Sequence, residues 1–347
     1  MTIAKKNPIQ GPTHLMKSIR LMKALHRPLT GSNLFALALM AFSLSSSADD
    51  FPNKAMSITV PNPPGGQNQI HAQPLSAILE RLTGQPAPVI NRAGGTGAIG
   101  TAYVMNQPPD GLSLLVTTPN IYLALEKDKL YAIKSPYTHE QIGLVALLSA
   151  DPLALATHPS MPIKSVKEFI TLAKSKPGEI IFSTSGPYSI THMPMAMLMN
   201  AEKLKMRHLP TTGGGPAIIE VLGGHAQFTA SGPGAIYPYV KSGKLRALAT
   251  WGTHSHPALP EVKTLKSMGY DMEAYLWVGV FTASAVPETT MVKLRALVHK
   301  ATQEPAFKQA LENVKVVPDY RDGAEFRKFY DADLKRMSAV IKSIGKL

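Results

Sequence analysis

Ser185 and His192 share one hydroxyl-rich loop, Ser183-Thr-Ser-Gly-Pro-Tyr-Ser-Ile-Thr-His192, and are the residues nearest to a nucleophile and its base. Such a pair needs a third group to orient the base, and the chain offers neither a G-x-S-x-G elbow nor an obvious acid partner. They read as a loop serine and a capping histidine. A secreted Ser/His hydrolase, testable by turnover of generic esters, is the competing reading. His254 and His256 flank Ser255 with no third ligand at metal spacing, so both read as solvent-exposed loop histidines. The absence of cysteine excludes a disulfide framework, a thiolate metal site and a Cys nucleophile. No carboxylate pair sits in the glycine loops to do acid–base work, so the sequence names no reaction and calls for no cofactor.

The residues with a clearer chemical bias are glycines and small polar groups. In Val60-Pro-Asn-Pro-Pro-Gly-Gly-Gln-Asn-Gln-Ile70 a strand ends in a proline-stiffened turn and a helix begins. Such a junction aims backbone N–H groups and the positive end of a helix dipole at one spot, which suits an anion. Pro210-Thr-Thr-Gly-Gly-Gly-Pro216 repeats the device, with Pro216 suited to a first helical turn and Gly223-Gly224 closing the helix. A third cluster, Asn91 to Gly100, matches G-x-G-x-x-G at Gly95, Gly97 and Gly100. The acidic residue of a dinucleotide fingerprint is missing, because the sequence reads Pro119-Asn-Ile-Tyr at its place. A tight turn before a helix is the reading there.

The elements that must position these loops alternate between strand and helix. Strands are expected at Ile58–Val60, Val89–Ile90, Leu112–Val116, Ile180–Phe182, Gln227–Thr229 and Leu245–Ala249. Thr117 and Thr118 fall at the C-terminal end of the third, where ligands sit in open α/β sheets. Leu75, Ile78, Leu79 and Leu82 recur at helical spacing, with Pro74 expected to kink their helix. Ser165-Val-Lys-Glu168 is a capping box for the next helix. The apolar runs around Asp151-Pro152 and at Leu276–Phe281 read as two crossings between domains.

Ahead of all this, Lys5, Lys6, Lys17, Arg20, Lys23 and Arg27 precede the apolar run Leu34–Leu44 and small residues ending at Ala48, with no acid among them. This is the pattern of a secretory signal peptide over residues 1–48, cleaved near Ala48–Asp49, and the run is too short to span a bilayer. About 300 residues remain, enough for two domains. Much of the +13 net charge leaves with the leader. The remaining cations are scattered and not interleaved with aromatics, which argues against nucleic-acid binding and licenses only a mild preference for anions.

With these loops in order, the chain resembles the periplasmic receptors of tripartite tricarboxylate transporters, the Bug receptors. The resemblance rests on Val60–Gly66, Asn91-Arg92 with the following glycines, Pro109-Asp-Gly111, Gly213–Pro216, Gly223-Gly224, Ser242–Leu248 and Pro257–Pro260, and covers essentially everything after the leader. It implies an α/β, two-lobed type II periplasmic-binding-protein (Venus flytrap) fold with two crossing strands. Lobe 1 is expected over 49–150 and 275–347 and lobe 2 over 151–274. It also implies a monomer in the periplasm that binds a small carboxylate and works with integral membrane transporter subunits, without catalysis. A sensory receptor docking on a signalling partner would bind the same ligand class.

The positions implied for ligand binding are Gly66, Gln67, Asn68 and Gln69 with Thr117 and Thr118 from one lobe. From the other come Ser185, Gly186, Ser189, Thr212, Gly213, Gly214, Gln227 and Ser231. The chain departs from the family where members carry Asp, at Gln69 and within Ala226–Ser231, so ligand identity does not carry over.

Overall fold

A computed structural model of the chain describes residues 51–347, so the leader expected over residues 1–48 lies outside the described residues. The first sheet has six strands in the order β11-β4-β10-β3-β1-β2. Its members are β1 (Ser57–Val60), β2 (Val89–Asn91), β3 (Ser113–Thr117), β4 (Ile142–Pro152), β10 (Tyr275–Ala283) and β11 (Pro318–Asp322). β1 pairs in parallel with β2 and β3, whereas β10 is antiparallel to β3 and β4. The second sheet, in the order β7-β6-β8-β5-β9, comprises β5 (Ala154–Thr157), β6 (Ile181–Thr184), β7 (Arg207–Pro210), β8 (Phe228–Ser231) and β9 (Arg246–Thr250).

Parallel neighbours need helical crossovers, and the sequence supplies them. The helices that matter for the site are α1 (Gln67–Thr83), α3 (Asn120–Tyr131), α5 (Met193–Glu202), α6 (Gly214–Leu222) and α7 (Pro233–Lys241), each starting just beyond the C-terminal end of a strand. α1 runs on through Pro74. The capping box of α4 (Val166–Ser175) forms, with Ser165 Oγ accepting from the Glu168 amide at 3.2 Å.

The chain passes between the sheets twice, and the two passages are bonded to each other. Leu153 N donates to Ala274 O, Trp251 N to Leu153 O and Ala274 N to Trp251 O, at 2.8 to 3.0 Å. The first passage falls where Asp151-Pro152 predicted it. The second lies between β9 and β10, so Leu276–Phe281 belongs wholly to the first sheet and is not itself the crossing. The C-terminal helix α10 (Gly323–Ile344) returns to this sheet, where buried Asp333 accepts from Tyr122 Oη and Trp277 Nε1, each at 2.6 Å. Three distant segments are thereby fixed by one carboxylate.

Among the described residues no helix is long and apolar enough to cross a membrane.

Candidate functional site

The site is built by helix N-termini. Gly66 occupies the N-cap of α1 and Gly213 that of α6, and neither end has a side-chain cap. Glycine allows the two ends to approach backbone to backbone: a Cβ at Gly66 would stand 3.5 Å from the Gly215 amide nitrogen, and one at Gly215 would stand 2.7 Å from the Pro64 carbonyl oxygen. Two positive dipole ends in such proximity repel one another and attract an anion. It is the close approach of the two backbones that shows the lobes closed onto each other here.

A cavity of about 30 Å³ lies beside this contact, room for a water or two rather than a dicarboxylate, so a ligand of that size requires the lobes to part slightly. Gly66, Gln67, Asn68, Gln69, Thr118, Ser185 and Gly214 line it, bringing together half of the residues expected from sequence. Gln67 is buried, yet neither its Nε2 nor its Oε1 has a partner, and Asn68 Oδ1 and Thr117 Oγ1 are likewise buried and unpaired. Buried polar atoms ordinarily find partners, so these four atoms stand out as unmet hydrogen-bonding capacity in this part of the molecule. No charged side chain lines the cavity.

The remaining expected residues have other duties. Gly186, at φ +126° where a side chain is strained, turns the loop, and a Cβ there would meet Thr96 Oγ1 at 2.7 Å. Ser189 Oγ bonds Thr191 Oγ1 at 3.1 Å. Gly213 packs on Pro63 and Asn62, Thr212 is exposed, and Ser231 is buried at the C-terminal end of β8. Gln227 points away from the cavity: its Oε1 accepts from the Ile181 amide at 2.8 Å, at the opposite end of the second sheet. A side chain committed to a strand end cannot read the ligand.

Several lining residues were not legible in the sequence. Asn62 Oδ1 accepts from Asn68 Nδ2 at 2.7 Å, and Asn91 Nδ2 ties the Asn62 carbonyl to Gln69 Oε1, at 2.7 and 3.1 Å. Asn120 Oδ1 accepts from the Ile190 amide at 2.8 Å, one of the bonds between the lobes. Thr191 Oγ1 gathers Ser185 N and Ser185 Oγ, at 2.8 and 2.9 Å. The only available signal was their place beside loops already singled out.

The hydrolase constellation does not assemble. Ser185 Oγ is bonded to Thr191, while His192 Nδ1 accepts from the Tyr188 amide at 3.1 Å and its ring stacks on His208 at 4.3 Å between centroids. Burial and neighbouring His208 push His192 down to about 3, and burial pushes His208 down to about 4. The unfolded chain takes up these protons near the ordinary value of 6.5, so the folded state loses stability progressively as pH falls from about 6.5 towards 4. Melting temperatures across that range should fall less steeply for His208→Gln than for the wild type, and parallel curves would refute the assignment.

One further expectation is corrected. His254 is exposed, but His256 is buried, and its Nε2 donates to Asp151 Oδ1 at 2.9 Å beside the first crossing. Its Nδ1 accepts from the Ala258 amide at 3.1 Å, which fixes the tautomer. Among the described residues, no group of three His, Asp or Glu side chains is placed to hold a metal ion.

Comparison with known proteins agrees with this architecture. The model of the tripartite tricarboxylate transporter family receptor matches residues 72–346. BugT of Bordetella pertussis is 28% identical over 311 residues, covering 89% of this chain and 95% of BugT. A solved periplasmic transporter superposes with a TM-score of 0.79 at 26% identity, covering 84% of this chain and 97% of its own. MatC of Rhodopseudomonas palustris, solved with bound malate, superposes at 0.77 with 23% identity, over 84% of this chain and 99% of its own. The family match spans most of the chain, and the chain belongs to the tripartite tricarboxylate transporter receptor family, a family of receptors rather than enzymes.

Proposed function

We propose that the protein is an extracytoplasmic receptor that captures a small organic acid between its lobes and delivers it to a tripartite tricarboxylate-type membrane transporter. In this reading lobe 1 comprises 49–150 and 275–347, lobe 2 comprises 151–274, and the monomer works in the periplasm after loss of its leader. The observation that carries the reading is the convergence of two uncapped helix N-termini on a cavity whose buried amide, Gln67, is unpaired. Gln67, Asn68 and the amides following Gly66 and Gly213 are the groups assigned to the carboxylate oxygens, with Thr118 and Ser185 beside them. The malate bound to MatC supports the ligand class, as does the adipate bound to another Rhodopseudomonas palustris relative of the same fold.

The test is a thermal-shift screen of carboxylic acids followed by calorimetry. A ligand present at 100 times its Kd stabilises the native state by about 2.7 kcal/mol, which raises the melting temperature by several degrees. Succinate, malate and adipate are the first probes. If no mono- or dicarboxylate shifts the melting temperature, the proposal fails, and turnover of generic esters would revive the hydrolase reading.

A further inference from the structure

His71 lies one helical turn below Gln67, with no exposure to solvent, and both of its ring nitrogens are engaged. Nδ1 is 2.9 Å from the Gln67 carbonyl oxygen, which can only accept, so Nδ1 carries the proton. Nε2 is then an acceptor, and Ser149 Oγ donates to it at 2.8 Å. Burial lowers the affinity of His71 for a second proton, with the Gln67 carbonyl and Asp151 acting in the opposite sense. The neutral Nδ1–H tautomer is the form these partners require.

Ser149 sits near the end of β4, two residues before Asp151 and four before the bonded crossing at Leu153. Residues two apart on a strand share a face, so Ser149 and Asp151 point the same way. Ser149 holds the ligand-facing turn of α1 through His71. Asp151 holds His256, in the second passage between the sheets, and accepts from the Val317 amide at 3.4 Å. The same strand end therefore fastens the cleft on one side and the hinge on the other.

We infer that His71 is a positioning residue, which fixes the first turn of α1 against the crossing strand through Ser149 so that Gln67 and the α1 amides are held for the carboxylate. This rests on the receptor reading above. An apolar residue would fill the same space without the cost of burying two ring nitrogens, which is offset only because each is paired. What the imidazole adds is a directional tie between a carbonyl in the ligand-binding turn and a strand that does not touch the ligand. The Gln67 side chain can stay unpaired and still be held in place, because its own backbone is anchored.

The test compares His71→Leu, Ser149→Ala, the double variant and His71→Gln, whose side-chain oxygen can accept from Ser149. Calorimetry with succinate and malate should show about a tenfold loss of affinity for each of the first two. The double variant should be no weaker than either single one, because both break one connection. His71→Gln should recover part of the loss. A purely structural role would lower the melting temperature of the unliganded proteins and leave affinity unchanged. Imidazole nitrogen NMR of the wild type should report the Nδ1–H tautomer, and a resonance pattern for Nε2–H would overturn the inference. Should His71→Leu fail to fold, Ser149→Ala carries the test. Wild-type affinity in Ser149→Ala for whichever screened acid binds the wild type overturns the inference alone, whereas a wild type that binds no mono- or dicarboxylate of the screen overturns the receptor reading and this inference with it.

Discussion

Replacing Gly215 by alanine should weaken carboxylate binding by about 100-fold or more while leaving the unliganded protein at least as stable as the wild type. The added Cβ would stand 2.7 Å from the Pro64 carbonyl oxygen and 3.0 Å from the Gly65 carbonyl carbon, backbone atoms that no rotamer change can move aside. Gly215 has no positive φ and lies in the first turn of α6, where alanine is the better helix former. Its isolated lobe therefore suffers nothing. The clash exists only when the lobes close, and a methyl-sized wedge adds to the slight parting that the ligand itself requires, which separates the N-termini of α1 and α6 so that one anion cannot reach both. Losing one or two hydrogen bonds to a charged group, at about 1.5–3 kcal/mol each, gives the stated factor. Gly213→Ala should act in the same direction, since its Cβ would meet Pro63 Cδ at 2.9 Å. Calorimetry and small-angle scattering read the two consequences: Kd rises, and the radius of gyration ceases to contract on adding ligand. An unchanged Kd in Gly215→Ala would sink the closed-cleft account of binding.

Ligand charge should produce the second large effect, with malate bound more tightly than succinate and both more tightly than aspartate. The cavity offers two kinds of unmet demand. The α1 and α6 amides and Gln67 Nε2 need acceptors, which carboxylate oxygens provide. Gln67 Oε1 and Asn68 Oδ1 need a donor, and a buried acceptor left without one costs about 1–3 kcal/mol. The malate hydroxyl supplies that donor without charge, an advantage of roughly fivefold or more over succinate by that figure. The aspartate ammonium also donates, but no carboxylate lines the cavity to offset its desolvation. At several kcal/mol for an unpaired buried ion, aspartate should fall at least about 100-fold behind malate. Gln69→Asp tests the same logic from the protein side. Gln69 sits at the rim, held by Asn91, and an acid there should weaken dicarboxylates severalfold in a salt-dependent way. Calorimetric titration of the three matched acids decides the matter, and aspartate binding as tightly as malate would falsify the charge argument.

Local chemistry in the sequence determined the parts of this protein that depend on a few consecutive residues. Val60–Ile70 had to be a strand, a stiff turn and a helix N-terminus, because Pro and Gly permit little else between two periodic segments. Pro210–Pro216 had to repeat it, and Ser165–Glu168 had to cap a helix. Those three statements, with the α/β alternation, carried the α/β class and the two glycine-loop helix N-termini, whereas the two-lobed fold and the assignment of Gly66 to Gln69 and Gly214 to ligand binding came from the family resemblance. The edge strand β11 escaped notice because Pro318-Asp-Tyr-Arg-Asp322 has neither alternation nor apolar character, and it exists only because β4 offers it an edge to pair with.

Only the tertiary structure decided which side chains meet. Gln227 looked like a cleft residue by its place in a loop-flanked strand, yet it bonds the amide of Ile181, a partner 46 positions away in the chain. His256 looked exposed between polar neighbours, but the crossing carries Asp151 to within 2.9 Å of it and buries both. Asn120 and Thr191 enter the site because β3 and β6 end at the same cleft, and their place in or beside loops already singled out did not tell them from their neighbours. Periodicity tells which face of an element is buried and turn residues tell where it ends, whereas the identity of what lies opposite is set by sheet order and lobe closure, quantities that no local window contains.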